Sequence, residues 1–222
     1  MEYKQFDTAQ EFVNASAVFM ASVCNTSKND CYIGLAGGKT PVPIYKNFAE
    51  GNIDPYRIHI YQTDERYIKK ESEDSNYTML KKSMLMQHEG QWGSVNIFDT
   101  SLPMDDALQA FEALLLNVPD GVFDLLVLGV GTDGHVASLF PNTQALDTEA
   151  LVAHTQTDVH VGHDRLTIAP RVILKAKKIC VVLSGEKKRP VYEELHTPTK
   201  DIHEFPAHLL QTHDDVTVFF YT

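Results

Sequence analysis

Asp133 and His135 stand one glycine apart in the run Gly129-Val130-Gly131-Thr132-Asp133-Gly134-His135. A carboxylate and an imidazole at that separation form an acid–base pair. An unperturbed histidine titrates at about 6.5 and can carry a proton either way near neutrality. The pair follows an apolar run, residues 123–128, that reads as a buried strand, and the glycines make the loop after it tight and open. Other chemistry-bearing residues occupy the same kind of place. Gly37, Gly38, Lys39 and Thr40 follow the apolar run 31–35, Asp64-Glu65-Arg66 follows 58–62, and Gly185 and Lys188 follow 179–183. Two glycines ahead of a helix let backbone approach a ligand and leave N–H groups for an anion. Lys39 and Thr40 add anion-binding groups. Arg66 brings a rigid donor fork suited to an oxygen-rich ligand, and Asp64 can accept a ligand's hydroxyls or orient Arg66. Arg165 and Lys188 are candidate clamps for a phosphate. A lysine in the first turn of a helix opposes the helix dipole, which points to a ligand as the reason for it.

The elements that must position these residues alternate between two periods. Asp7 or Thr8 can cap a first helix, in which Phe12, Ser16, Phe19, Met20 and Val23 share a face. Strands are expected over 31–35, 58–62, 95–98, 123–128, 179–183 and 216–221, with short ones over 151–153 and 166–168. Helices are expected over 76–85, 105–116 and 186–195, and Pro41 suits the first turn of a further one. Ser75-Asn76-Tyr77 reads as the cap of the helix over 76–85. This alternation predicts an α/β fold, an open, mostly parallel, doubly wound (Rossmann-like) sheet with helices on both faces. In such sheets ligands bind beyond the carboxyl ends of the strands, where all the loops above lie.

The chain has 222 residues and a formal net charge of −11. That length predicts one domain spanning residues 1–222. The acidity argues against a nucleic-acid surface, so an anionic substrate must be drawn in by a local cluster of Arg and Lys. The first residues have no apolar core of a signal peptide, and no run is long enough to span a membrane. Cys24, Cys31 and Cys180 are unclustered in sequence, and Cys31 and Cys180 read as buried free thiols. A cytoplasmic protein without membrane partners is expected, a monomer or small homo-oligomer.

Two nucleotide motifs are approached and missed. The segment Gly34 to Thr40 is one residue short of a nucleotide P-loop, so a sugar phosphate suits it better than a triphosphate. Gly129, Gly131 and Gly134 have the dinucleotide spacing, but no second strand ends in a well-placed acid, and Asp133 would face a pyrophosphate. His154, His160, His163 and Asp164 have no metal-hydrolase spacing and no cysteine among them. No metal and no cofactor is expected.

Taken together, six blocks resemble the 6-phosphogluconolactonase family of the glucosamine-6-phosphate isomerase/6-phosphogluconolactonase superfamily. They are Gly37-Gly38-Lys39-Thr40-Pro41, then Asp64-Glu65-Arg66 with Ser75-Asn76-Tyr77, then Asp133-Gly134-His135 running on to Ala137-Ser138-Leu139-Phe140-Pro141. Arg165-Leu166-Thr167, Gly185-Glu186-Lys187-Lys188 and Phe205-Pro206-Ala207 follow in family order. The chain departs from the family at Ala36 and Lys39, where serine is usual.

The resemblance implies a hydrolase of the oxidative pentose phosphate pathway whose substrate is a small phosphosugar lactone. His135 would activate water as general base and Asp133 would orient or stabilise its imidazolium. Backbone N–H groups or Arg66 would stabilise the oxyanion. Gly37, Gly38, Lys39, Thr40, Asp64, Arg165 and Lys188 would bind substrate. No serine nucleophile is required, since Ser138 lacks the strained elbow of a serine hydrolase. Two rivals remain. A glucosamine-6-phosphate deaminase carries a catalytic Glu where this chain has Phe140, and a non-catalytic sugar-phosphate sensor usually accompanies a DNA-binding helix-turn-helix.

Overall fold

The computed structural model describes residues 1–158 and 164–222. The chain opens with β1 (Glu2–Phe6) and α1 (Ala9–Thr26), followed by β2 (Cys31–Leu35), α2 (Val42–Glu50) and β3 (Ile58–Gln62). Next come β4 (Asp64–Arg66), α3 (Asn76–Ser83), β5 (Ser94–Asn96), α4 (Met104–Leu115) and β6 (Leu125–Leu128). The last part holds β7 (Val152–Gln156), β8 (Asp164–Ile168), α5 (Pro170–Leu174), β9 (Ile179–Ser184), α6 (Arg189–His196) and β10 (Val216–Tyr221).

Seven strands form one parallel sheet in the order β1-β10-β9-β6-β2-β3-β5. The expected doubly wound sheet is therefore present. Strand alternation divides its apolar residues between two cores. Ile33, Leu35, Leu125, Val127 and Val182 pack under α1, α2 and α3 with Phe12, Met20, Ile44, Phe48 and Leu80. Leu126, Leu128, Val181, Leu183 and Val218 pack on the other face with Phe111, Leu115, Ile173 and Leu195 of α4, α5 and α6. Each such fully buried large side chain contributes about 1.5–3 kcal/mol to folding before its entropic cost.

Local signals explain most helix starts. Thr8 caps α1 by accepting from the Glu11 amide, and Ser75 caps α3 by accepting from the Thr78 amide. Pro41 stands one position earlier than expected, as the N-cap of α2 and not within its first turn. The helix expected over 186–195 begins as a 3₁₀ turn, Glu186–Lys188, so Lys188 lies at the N-cap of α6 and not inside its first turn.

A second sheet, antiparallel with the order β4-β8-β7, lies beside the first. The short strands expected over 151–153 and 166–168 are thus present and longer, whereas Asp64-Glu65-Arg66, expected as a loop, is a strand. Adjacency to β3 hides β4, because Thr63 alone separates them; its amide donates to Leu35 and its carbonyl accepts from Ile168. Cys31 and Cys180 are buried free thiols as expected, and so is Cys24. Cys24 and Cys31, separate in sequence, are buried with their sulfurs 3.2 Å apart, while Cys180 is buried elsewhere in the sheet.

Candidate active site

The order of the parallel sheet reverses direction between β2 and β6. From β2 the chain works outward through β3 to β5, and from β6 it works the other way through β9 and β10. Loops leaving neighbouring strands in opposite directions open a crevice at their carboxyl ends. A cavity of about 450 Å³ occupies that place, lined by the loops after β2 and β6 and by β4, α3, β8 and Lys188.

The loop after β6 folds back on itself. The Gly131 amide donates to the His135 carbonyl at 2.8 Å, and the Gly134 amide to the Gly131 carbonyl at 3.1 Å. Gly134 has φ +89°, and a Cβ there would lie 2.4 Å from the Phe205 ring. The Ala207 amide holds the Gly134 carbonyl at 2.9 Å from outside. The hairpin brings Asp133 Oδ1 to 2.6 Å from His135 Nδ1 and 3.2 Å from the His135 amide. A Cβ on Gly131 would lie 2.2 Å from His135 Nδ1 and 2.3 Å from Asp133 Oδ1, so glycine is what makes room for the pair. Both side chains are partly exposed, and His135 lines the cavity. Partial burial works against the Asp133 charge, but the hydrogen bond and charge of His135 outweigh it and hold the carboxyl at about 2. An ionised carboxylate on Nδ1 keeps a proton there and makes Nε2 the basic nitrogen. Phe140 is buried, its ring tilted at 52° with its centroid 4.7 Å from that of His135. Ala137, at φ +51°, holds left-handed backbone that a non-glycine residue adopts at a cost of about 1–3 kcal/mol.

The loop after β2 is braced from below. Its Ala36 amide donates to Val127, and the buried Tyr45 hydroxyl donates to the Ala36 carbonyl at 2.9 Å. Gly38 has φ +99°, with open space where a Cβ would be. Among the described residues, the amides of Gly37, Gly38 and Lys39 donate to no protein group. Gly37 has a different reason from the one expected. A Cβ there would lie 1.9 Å from Asn76 Oδ1, so its bareness admits that side chain, not a ligand. Lys39 is exposed at the rim, and the Thr40 hydroxyl is shared with Ser184 at 2.9 Å. Lys188 reaches across from β9 and donates to the Val130 carbonyl. Burial lowers the Lys188 pKa, against the pull of Asp133. Lys187 is exposed, and Arg189 pairs with Glu186.

The second sheet supplies the far side. Its register sets Arg66 directly opposite Arg165, and both line the cavity. Burial and the Arg66 charge both lower the Arg165 pKa, while Asp64 and Glu65 raise it. Like charges opposed across two strands destabilise a sheet unless an anion lies between them. Arg66 also donates to the Asp74 carbonyl. Asp64 is buried, lines the cavity and accepts from the Ser138 hydroxyl at 2.7 Å, which ties β4 to the hairpin after β6. Glu65, given no role by the sequence, is buried and accepts from Gln62 Nε2, the Ser75 hydroxyl and the amides of Arg66, Asn76 and Tyr77. Burial raises its pKa, and those hydrogen bonds work the other way. His154 pairs with Asp164 at 2.7 Å, whereas His160 and His163 lie outside the described residues. Among the described residues no three His, Cys, Asp or Glu side chains are grouped to hold a metal.

Comparison with known proteins places this geometry. Residues 6–219 match the family model described as glucosamine-6-phosphate isomerases/6-phosphogluconolactonase. A probable 6-phosphogluconolactonase of Dictyostelium discoideum is 34% identical over 201 residues, covering 87% of this chain and 85% of its own length. The crystal structure of a 6-phosphogluconolactonase from Thermotoga maritima is 27% identical, covers 99% of this chain and 98% of its own, and superposes with a TM-score of 0.89. One from Shewanella baltica is 26% identical, with 100% and 98% coverage and a TM-score of 0.90.

Proposed function

The chain belongs to the glucosamine-6-phosphate isomerase/6-phosphogluconolactonase family, and from that membership we infer that it hydrolyses 6-phospho-D-glucono-1,5-lactone to 6-phospho-D-gluconate. The observation that carries the mechanism is the 2.6 Å bond from His135 Nδ1 to Asp133 beside the cavity. Asp133 fixes the ring and its tautomer, so Nε2 takes a proton from water as the water attacks the lactone C1. The resulting imidazolium, stabilised by Asp133, returns that proton to the departing ring oxygen. The oxyanion formed at C1 falls to Arg66 or to loop amides. The amides of Gly37, Gly38 and Lys39, with Lys188 and Arg165, hold the phosphate, whose binding energy positions C1. Phe140 beside His135 supplies no titrating group, which argues against deamination of an amino sugar.

The test is lactone disappearance in real time, with the substrate made in situ and the spontaneous rate subtracted. The protein is expected to accelerate hydrolysis, with and without exhaustive chelation, and to release no ammonia from glucosamine 6-phosphate. Ammonia release without lactonase activity would refute the reading. A chelation loss that zinc or magnesium restores would refute the metal-free mechanism.

A further inference from the structure

Asn76 is 2% exposed yet lines the cavity, and its Oδ1 has no hydrogen-bond partner. Buried polar atoms are almost always paired, so this one needs a reason. Its orientation is fixed. Nδ2 donates to the Asp64 carbonyl at 2.9 Å, and turning the amide over would set oxygen against oxygen. The Asn76 backbone amide is held by Glu65 at 2.7 Å, and Gly37 has no Cβ where Oδ1 lies. Strand β4, the start of α3 and the loop after β2 thus hold one carbonyl oxygen in place at the cavity. The first amides of α3 are occupied by Glu65, so this is not an anion site.

Resting on the lactonase reading, we propose that Asn76 Oδ1 accepts a hydrogen bond from one ring hydroxyl of the substrate and sets specificity for it. An amide oxygen accepts and cannot donate. The phosphate at neutral pH, the lactone carbonyl and the ring oxygen are acceptors and would be repelled. The donors the lactone offers are its hydroxyls on C2, C3 and C4. Asn76 is therefore a reader of the sugar, distinct from the groups that hold the phosphate and move the proton.

The experiment compares 6-phosphogluconolactone with its 2-deoxy, 3-deoxy and 4-deoxy analogues on the wild type, Asn76→Leu and Asn76→Asp. In the wild type one analogue is expected to lose about tenfold or more in kcat/KM, the cost of leaving a buried acceptor unmatched. Asn76→Leu is expected to bring the parent lactone down to that level, mainly through KM, while the same analogue loses nothing further. Asn76→Asp, in its acid form, keeps the acceptor oxygen and offers the Asp64 carbonyl a hydroxyl donor in place of Nδ2, and is expected to preserve the wild-type ranking of the four lactones. It stands as the test should the leucine variant fail to fold. Equal losses on all four lactones in Asn76→Leu, or a changed ranking in Asn76→Asp, would overturn the assignment. A wild type that hydrolyses no lactone, yet binds 6-phosphogluconate with the same single-hydroxyl dependence in calorimetry, would overturn the reaction and leave the contact standing.

Discussion

At the scale of single residues, the proposed chemistry rests on how Asp133 holds His135. Their 2.6 Å bond spans a glycine that a sequence reading leaves as a break between them. His135→Asn is expected to lower kcat by about 10²–10⁴-fold while melting temperature and 6-phosphogluconate binding stay near the wild type. A stable variant with wild-type turnover would remove His135 from the reaction. Asp133→Asn is expected to cost roughly as much, because an amide can donate to Nδ1 and move the proton to Nε2, where the base should be. The same carboxylate makes a separate prediction about stability. Its pKa is about 2 in the fold against an ordinary 3.8. A depressed folded-state pKa stabilises the protein above the unfolded value, and that stabilisation is lost as pH falls towards the folded one. The wild type should therefore exceed Asp133→Asn in stability by on the order of 2 kcal/mol near neutrality, allowing 1.36 kcal/mol per pH unit. Denaturant unfolding at pH 6 and at pH 3 checks it, and the gap should narrow at the lower pH. An unchanged gap would mean that the pair stabilises by packing, not by charge.

At the scale of elements, the β4–β8 register opposes Arg66 and Arg165, and the 3₁₀ turn before α6 brings in Lys188. These elements make a cationic seat that the proposed function assigns to phosphate. Lys188→Ala and Arg165→Gln are each expected to weaken 6-phosphogluconate binding by about 1.5–3 kcal/mol, the loss of a charge-assisted hydrogen bond. Calorimetry with gluconate lacking the phosphate should show no such loss. Equal losses on both ligands would assign these residues to the fold. The parallel strands were legible because burial on both faces writes continuous apolar runs such as Cys31–Leu35 and Val216–Tyr221. The antiparallel sheet was less legible. Arg165 and Thr167 are polar residues buried in β8, which breaks the alternation that a half-buried strand would show. Strand β1, at an edge, is too exposed and polar to announce itself. The candidate loops were found from residue types at strand ends. The roles of Glu65 and Asn76 were not legible, because the contacts that join β4 to the start of α3 span ten or more residues and no local spacing encodes them.

At the scale of the whole molecule, an anionic ligand meets a protein of net charge −11. The general field repels it, so the local arrangement must prevail. Lys39, Arg66, Arg165 and Lys188 line the cavity together with Asp64 and Asp74, leaving two net positive charges, four cations against two carboxylates. Asp64 accepts from the Ser138 hydroxyl, so the cations face a phosphate with less opposition than the count implies. The seat joins β2, β4, β6, β8 and the turn after β9, drawn from both sheets. A ligand that binds there and not to the unfolded chain stabilises all of them at once. At about 100 times its dissociation constant, 6-phosphogluconate should add roughly 2.7 kcal/mol. For a chain of this size, each kcal/mol raises the melting temperature by about 2–4 °C, so the expected shift is on the order of 5–10 °C. Gluconate at the same concentration should shift it little, because it lacks the group that the cations hold. Arg165→Gln should lose most of the shift from 6-phosphogluconate, read against the variant's own melting temperature without ligand. Thermal unfolding monitored with each ligand reads all of this. An equal rise from gluconate, or a full rise in Arg165→Gln, would place the binding energy in the sugar and not in the phosphate, and the cationic seat would then need another occupant.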